Sequence, residues 1–351
     1  MRISVCMIVL NEEQTLERIL KTVKQFADEI IIVDTGSIDD TVNIAKKFTD
    51  KIFKFAWVND FSLARNFAFS KASCDYLMWL DADDYISNKN VNKIRQLKKR
   101  TAPADTYMFK YSCFSKQEKV PIFTFYRERL LKNCKSCVFK GFIHEVIIPF
   151  GKIEYLDIEI EHRKVKNNNP KRNLKIYQAH DFKLLSPRDK FYCAKEYYYN
   201  GYYKTAIKKL KAFLLVGEFL PNVYDAYITL YDCLVKIQDI SAVKYLYKCI
   251  EKCGLTSEVL CKIGDNLLNK NDYASAIKYY KCALSCAEPK NSLFFVKKEY
   301  YYLYPLLQLT YAFYKLGDLN TSLKYHKMAY KRYKNDYRVA KNQEFFNSNL
   351  K

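Results

Sequence analysis

Tyr76-Leu77-Met78-Trp79-Leu80-Asp81-Ala82-Asp83-Asp84 is the stretch on which the reading of the chain turns. Its apolar start suits a strand covered on both faces, and three carboxylates crowd the end of that strand. Open α/β sheets bind their ligands at the carboxyl ends of strands. Like charges so close together are costly unless a cation neutralises them. Carboxylate oxygens suit Mg²⁺ or Mn²⁺, which in turn hold substrate phosphates. Helix capping accounts for one such aspartate; three in the pattern D-x-D-D favour a metal.

Upstream, Ile3–Leu10, Glu29–Asp34 and Lys51–Phe55 read as further strands. Between them, Glu13–Phe26, Thr41–Phe48 and Phe61–Ser70 carry apolar residues at helical spacing. This β-α-β-α order predicts a parallel sheet with helices on both faces. Downstream, Tyr107–Phe114, Ile122–Leu131 and Val146–Ile160 read as strands without helices between them, an antiparallel or mixed extension of the sheet. The polar segment Asn167–Arg172, with Pro170, marks a connection, and Ser186-Pro187 is a helix start.

Beyond about residue 172 the pattern is helical and repeats. Ala206, Ala242, Ala276 and Ser322 are the equivalent small residues of four copies, spaced 36, 34 and 46 apart. A period near 34 with a small residue where two helices touch resembles the tetratricopeptide repeat. Leu260, Ile263, Gly264 and Leu267 fall where the first helix of the third copy would pack, and the 46-residue step implies an insertion around Glu288–Glu299. Cys249/Cys253, Cys282/Cys286 and His326 sit within these helices and read as packing residues.

The 351 residues are 49% apolar and 28% charged, a globular composition long enough for two domains. Only 8 glycines occur, which argues against Gly-rich linkers, collagen and turn-dense β-barrels. Of the net charge of +21, residues 1–90 carry −3 and the remainder +24. That imbalance fits an anionic partner or a lysine-rich solvated helix surface. Arg2 and Ile3–Leu10 imitate a signal peptide but run into Asn11-Glu12-Glu13 with no small-residue cleavage site. No apolar run approaches the ~18 residues of a membrane span. Twelve cysteines without a secretion signal predict a reducing, cytoplasmic setting. Cys134-Lys-Ser-Cys137 has no second pair and makes a weak zinc candidate.

A second acidic loop follows the second strand: Asp34-Thr35-Gly36-Ser37-Ile38-Asp39-Asp40-Thr41. Gly36 permits a tight turn, Asp34 is presented at the strand tip, and Ser37 and Asp39 can cap the next helix. Arg65-Asn66 lies on the helical segment between the two acidic sites, and an arginine there can clamp a pyrophosphate bidentately.

Together, Val9-Leu-Asn11-Glu12-Glu13, Val33-Asp34-Thr35-Gly36-Ser37-x-Asp39-x-Thr41, Phe61-Ser-x-Ala64-Arg65-Asn66 and Asp81-Ala-Asp83 resemble family 2 glycosyltransferases of the GT-A fold, over roughly residues 1–165. Phe139-Lys-Gly141-Phe-Ile-His144-Glu145, followed by His162, is similar to a bacterial branch that also has helical repeats. That branch includes lipopolysaccharide-core glucosyltransferase-like enzymes and peptide S-glycosyltransferases. The resemblance implies an α/β GT-A (Rossmann-like) domain over residues 1–170, followed by an all-α tetratricopeptide-like solenoid over 171–351. It further implies that Asp34 recognises the nucleobase, Arg65 approaches the diphosphate, and Asn11 and Glu13 line the nucleotide cleft. Asp81 would contact ribose or metal, Asp83 would be the main ligand of Mn²⁺ or Mg²⁺, and His162 would complete the shell. Glu145 would be the general base and His144 would orient the acceptor, with Asp157, Glu159 and Glu161 as fallback bases.

The expected activity is inverting sugar transfer from a nucleotide-diphosphate sugar to a protein or peptide, since helical repeats commonly offer a concave partner-binding face. Two readings compete. One is transfer to a cell-surface glycan or lipid-linked acceptor, with peripheral membrane contact through the basic half. The other is a non-catalytic repeat protein with a nucleotide-sensing domain. Homodimerisation through the helical half is open. No nucleic-acid partner is expected, because signatures of the common RNA modules are absent.

Overall fold

The computed structural model describes residues 1–114, 123–163, 171–288 and 297–349. It forms two compact units, Met1–Ile176 and Tyr177–Lys351. Ile122, residues 167–170 of the expected connection and residues 289–296 of the expected insertion lie outside the described residues.

In the first unit the elements run β1 (Ile3–Val9), α1 (Leu16–Val23), β2 (Glu29–Asp34), α2 (Thr41–Lys46), β3 (Ile52–Lys54), α3 (Phe61–Ser70), β4 (Tyr76–Trp79), β5 (Asp84–Tyr85) and α4 (Asn88–Leu97). Then follow β6 (Thr106–Phe114), β7 (Phe123–Lys132), β8 (Phe139–Lys140), β9 (Val146–Ile147) and β10 (Ile153–Arg163); α5 (Arg172–Gln178) contains the division between the units. One sheet has the order β3-β2-β1-β4-β7-β6-β10-β5. Its β3-β2-β1-β4 half is parallel, and β7 pairs antiparallel with both β4 and β6. The sheet is therefore mixed, as the run of strands after residue 105 implied.

The reason for the parallel half is visible in β1 and β2. Every residue of Glu29–Asp34 is buried, and β1 is buried at all but Ile8. Ile3, Val5, Met7 and Val9 pack to one side with Leu16, Ile19, Leu20 and Val23 of α1. Cys6, Ile31 and Val33 pack to the other with Ala68 and Phe69 of α3. Both faces are covered, so alternation disappears from the sequence.

Val146–Ile160 is not one strand. Gly151 adopts φ +62° between β9 and β10, a left-handed conformation that favours glycine. β9 then pairs with β8 in a separate two-stranded ribbon, while β10 joins the main sheet beside β6.

The second unit is helical: α6 (Pro187–Tyr199), α7 (Tyr203–Leu214), α8 (Leu220–Lys236), α9 (Val243–Cys253), α10 (Ser257–Asn269), α11 (Tyr273–Ser285), α12 (Glu299–Tyr302), α13 (Tyr304–Lys315), α14 (Leu319–Tyr333) and α15 (Tyr337–Asn349). The pairs α6/α7, α8/α9, α10/α11 and α13/α14 pack as hairpins. Ser186 caps α6 by accepting from the Asp189 amide at 3.1 Å, with Pro187 in the first turn. Ala206, Ala242, Ala276 and Ser322 are fully or almost fully buried. Gly201, Asn271 and Gly317 take left-handed φ at equivalent places in three hairpin turns. In the second copy this role falls to Gln238, and α9 begins only at Val243.

Charges on the first helices of these hairpins are paired. Lys195 meets Asp225 at 2.7 Å, Lys262 meets Asp232 at 2.7 Å, and Glu258 meets Lys297 at 2.7 Å. Gly264 lets α10 approach α11, because a Cβ there would lie 2.7 Å from the ring of Tyr280. That ring is buried and its hydroxyl donates to Asp265 at 2.7 Å, so it cannot swing aside. Gly264→Ala should therefore lower the melting temperature. Overpacking costs about 1–3 kcal/mol, against at most about 1 kcal/mol gained in helix propensity. A thermal melt checks this, and a raised midpoint would contradict it.

Candidate active site

The site forms where the ends of β1, β2 and β4 meet α3 and the β8–β9 ribbon. Asp60 caps α3 by accepting from the Leu63 amide at 3.0 Å. This sets Arg65 and Asn66 side by side with separate tasks. The Asn66 amide group pairs with both backbone groups of Phe139 in β8, donating at 3.0 Å and accepting at 2.8 Å. The Arg65 guanidinium bridges two carboxylates: Nη2 donates to Asp81 at 2.7 Å and Nε to Glu145 at 2.6 Å. Asp81, Glu145 and Arg65 are thus brought together from three distant places in the chain. The sequence motif assigns Asn66 no role, because its partner Phe139 lies 73 residues away.

Arg65 is buried, 4.8 Å from the ring centroid of Trp79 and 5.5 Å from that of Phe139. Its Nη1 has no hydrogen-bond partner among the described residues. Burial alone would lower the guanidinium pKa and raise that of Asp81, but the attraction of Asp81 and Glu145 reverses the first shift, and that of Arg65, with Arg129 and His162 adding to it, reverses the second. Both groups are held charged.

Beneath this bridge lies a second, fully buried pair. Asp84 accepts from the amide of Asp81 at 3.0 Å, from the Tyr111 hydroxyl at 3.1 Å and from Nη1 of Arg129 at 3.3 Å. Arg129 also donates to the carbonyl of Trp79 at 3.1 Å and stacks 3.6 Å from the Trp79 ring centroid. Asp84 therefore shapes the turn that presents Asp81 and Asp83.

His162 of β10 stands opposite Asp84 in the antiparallel pairing with β5. Its Nδ1 lies 3.3 Å from Asp83 and 3.5 Å from Asp84, yet makes no hydrogen bond of good geometry among the described residues. Burial would lower the imidazole pKa, but the two carboxylates outweigh it and push it up to about 10. Ligand atoms of Asp81, Asp84 and His162 fall within 4.8 Å of one another. A buried ring nitrogen between two carboxylates, without a well-formed hydrogen bond among the described residues, suits a divalent cation that displaces its proton. Asp84 was not in the expected ligand set. Because its oxygens already serve three donors, Asp83 and Asp81 have the freer oxygens beside His162.

The loops after β1 and β2 are laced together. Asn11, at φ +54°, donates its amide to Ser37 at 2.8 Å and accepts from the Ile38 amide at 2.8 Å. The Glu13 amide donates to Asp39 at 3.2 Å, and its carboxylate accepts from the Asp40 amide at 3.3 Å. Asp34 is buried, accepting from the amides of Gly36 at 3.3 Å and Ser37 at 3.1 Å. Asn11, Glu13 and Asp34 thus hold these two loops in place.

His144 sits just before Glu145 at φ +53°, in a loop whose Phe142 carbonyl accepts from the Phe61 amide at 2.9 Å. The Glu145 carbonyl accepts from Arg127 at 3.2 Å, while Oε2 of its side chain makes no hydrogen bond among the described residues. The fallback bases are all engaged. Asp157 pairs with Lys110 and Lys93, which lower its pKa to about 2; Glu159 accepts from Ser112, and Glu161 pairs with Arg163.

Comparison with known proteins places this site in context. Residues 4–145 match the model of Glycosyl transferase family 2. The SPbeta prophage-derived glycosyltransferase SunS of Bacillus subtilis is 40% identical over 92 residues, 26% of this chain and 22% of that protein. An uncharacterized glycosyltransferase of Rickettsia typhi is 34% identical over 96 residues, 27% of this chain and 32% of its own. A TPR repeat-containing protein of Synechococcus elongatus is 45% identical over 83 residues, 24% of this chain and 21% of its own. Each of these matches spans less than a third of the relative's length. Among solved structures, Staphylococcus aureus TarS 1–349 aligns with a TM-score of 0.38 at 14% identity, covering 73% of this chain and 93% of that one.

Proposed function

We propose, on the match of residues 4–145 to the model of Glycosyl transferase family 2, that the chain transfers a sugar, with inversion, from a nucleotide-diphosphate sugar to a protein or peptide acceptor. The observation that carries the proposal is the Arg65 bridge between Asp81 and Glu145. It couples the acidic end of a central strand, where a donor would lie, to a carboxylate with one oxygen left for an acceptor proton.

In this reading Asp34 recognises the nucleobase, and Asn11 and Glu13 keep the two cleft loops closed around it. Arg65 approaches the diphosphate through its unpartnered Nη1. Asp83, His162 and Asp81 hold Mn²⁺ or Mg²⁺, which when bound supplies positive charge to the leaving diphosphate. Glu145 takes the acceptor proton on Oε2 while Arg65 fixes Oε1. His144 orients the acceptor. The helical unit engages the polypeptide, in keeping with the way such repeats bind partners. Twelve unpaired thiols suit a reducing, cytoplasmic setting.

A thermal-shift series with nucleoside diphosphates and nucleotide sugars, each with Mn²⁺ and with chelator, tests the donor site. One nucleotide at a hundredfold its Kd should raise the midpoint by about 5–10 °C, and only with metal. Asp83→Asn should remove that metal-dependent rise while leaving the unliganded midpoint in place. A variant that still responds to metal would exclude Asp83 as a ligand.

A further inference from the structure

The second helix of each repeat carries exposed lysines that no close ion pair engages among the described residues. In α7, α9, α11 and α14 the position two residues after the buried small residue is always lysine: Lys208, Lys244, Lys278 and Lys324. Three positions further on stand Lys211, Lys281 and Lys327, with Tyr247 in the remaining copy. All eight residues are exposed. At 100° per residue both rows point away from the buried stripe, represented in α7 by Ala206, Ile207, Leu210 and Phe213. These four helices contain 12 lysines and one arginine against a single acidic residue, Glu251. None of the ladder lysines forms an ion pair among the described residues, whereas Lys195 and Lys262 on the first helices are buried and paired.

We infer that this lysine face docks the protein on an anionic lipid surface. Charge complementarity sets the sign of the partner, and the layout selects its form. The exposed lysines recur at equivalent positions of four helices, which spreads the charge over the repeats, whereas proteins that track a single polyanionic strand line a groove with basic and aromatic residues. The cations are almost all lysine, hydrated point charges suited to a diffuse field, rather than arginine forks suited to one phosphate. Tyr247 and Met328, 49% and 46% exposed, add apolar and amphipathic contact on the same side. Among the described residues no helix is long and apolar enough to cross a membrane, so this attachment is peripheral. The inference stands independently of the sugar-transfer reading.

The test is co-sedimentation of the full chain with phosphatidylcholine vesicles, pure or containing phosphatidylglycerol, over a salt series. The chain should pellet only with the anionic vesicles and release as salt rises. Lys208→Gln, Lys244→Gln, Lys278→Gln and Lys324→Gln together should weaken partitioning by about fivefold per lysine removed. Glutamine at Lys46, Lys47, Lys99 and Lys152 of the first unit should not. Circular dichroism establishes that the variants fold, and the wild-type salt series stands alone should the quadruple variant misfold. Equal binding to pure phosphatidylcholine, no pelleting with either vesicle, or an unaffected quadruple variant would overturn the inference. So would tighter binding to soluble polyphosphate than to vesicles at equal phosphate, which would reassign the face to a polymer.

Discussion

Arg129→Met will lower the unfolding free energy by about 3–5 kcal/mol, the usual cost of leaving one member of a buried ion pair without its partner. Arg129 and Asp84 both have fully buried side chains, and Asp84 is the common acceptor of Arg129, Tyr111 and the Asp81 amide. Methionine fills much of the volume above Trp79 but leaves the carboxylate facing an apolar ring without its cation. Urea denaturation followed by tryptophan fluorescence measures the loss. Adding Asp84→Asn should recover part of it, because a neutral amide no longer needs the cation. If the single variant kept the wild-type midpoint, the pair would have no structural weight.

Glu145→Gln is expected to reduce turnover by about 10²–10⁴-fold, the range attributed to a positioned general base. The substitution is nearly isosteric, and a side-chain oxygen remains for the Arg65 Nε contact made at 2.6 Å. The Asp81 side of the bridge is untouched, so the nucleotide-dependent thermal shift should persist. Steady-state transfer assays together with that binding measurement separate the two effects. Retained turnover would move the base elsewhere. Asp157, Glu159 and Glu161 would be poor successors, since each is already committed to a neighbour on or beside β10.

Much of the first unit was legible because doubly covered strands leave an unbroken apolar signature. Glu29–Asp34 and Phe61–Ser70 have in the structure the limits that their patterns suggested. Short elements were not legible. Asp84–Tyr85 and Phe139–Lys140 are two-residue strands, too brief for any periodicity to register. Asn88–Leu97 went unread as a helix because its polar first turn conceals Val91, Ile94 and Leu97. The split between β9 and β10 rested on Gly151, one residue whose backbone sign no hydropathy pattern reports.

The site divides in the same way. Its acidic and basic residues could be named from local motifs, but who meets whom is a property of the sheet. Nothing local sets Arg129 apart from the other charges of β7, and only the β4–β7 pairing brings it to Asp84. The motif does not disclose that Asn11 and Glu13 also tie their loop to its neighbour by hydrogen bonds. Spacing along one segment cannot reveal a partner about 26 residues away.

Arg65 answers to two anions at once, and this makes the site epistatic. Neutralising either Asp81 or Glu145 leaves the buried guanidinium one carboxylate at about 2.7 Å. Neutralising both strands it in an apolar pocket between Trp79 and Phe139. The tolerance of one position is therefore set by the state of the other. A lineage that lost one acid would hold the second more strictly, for reasons of folding that are separate from catalysis.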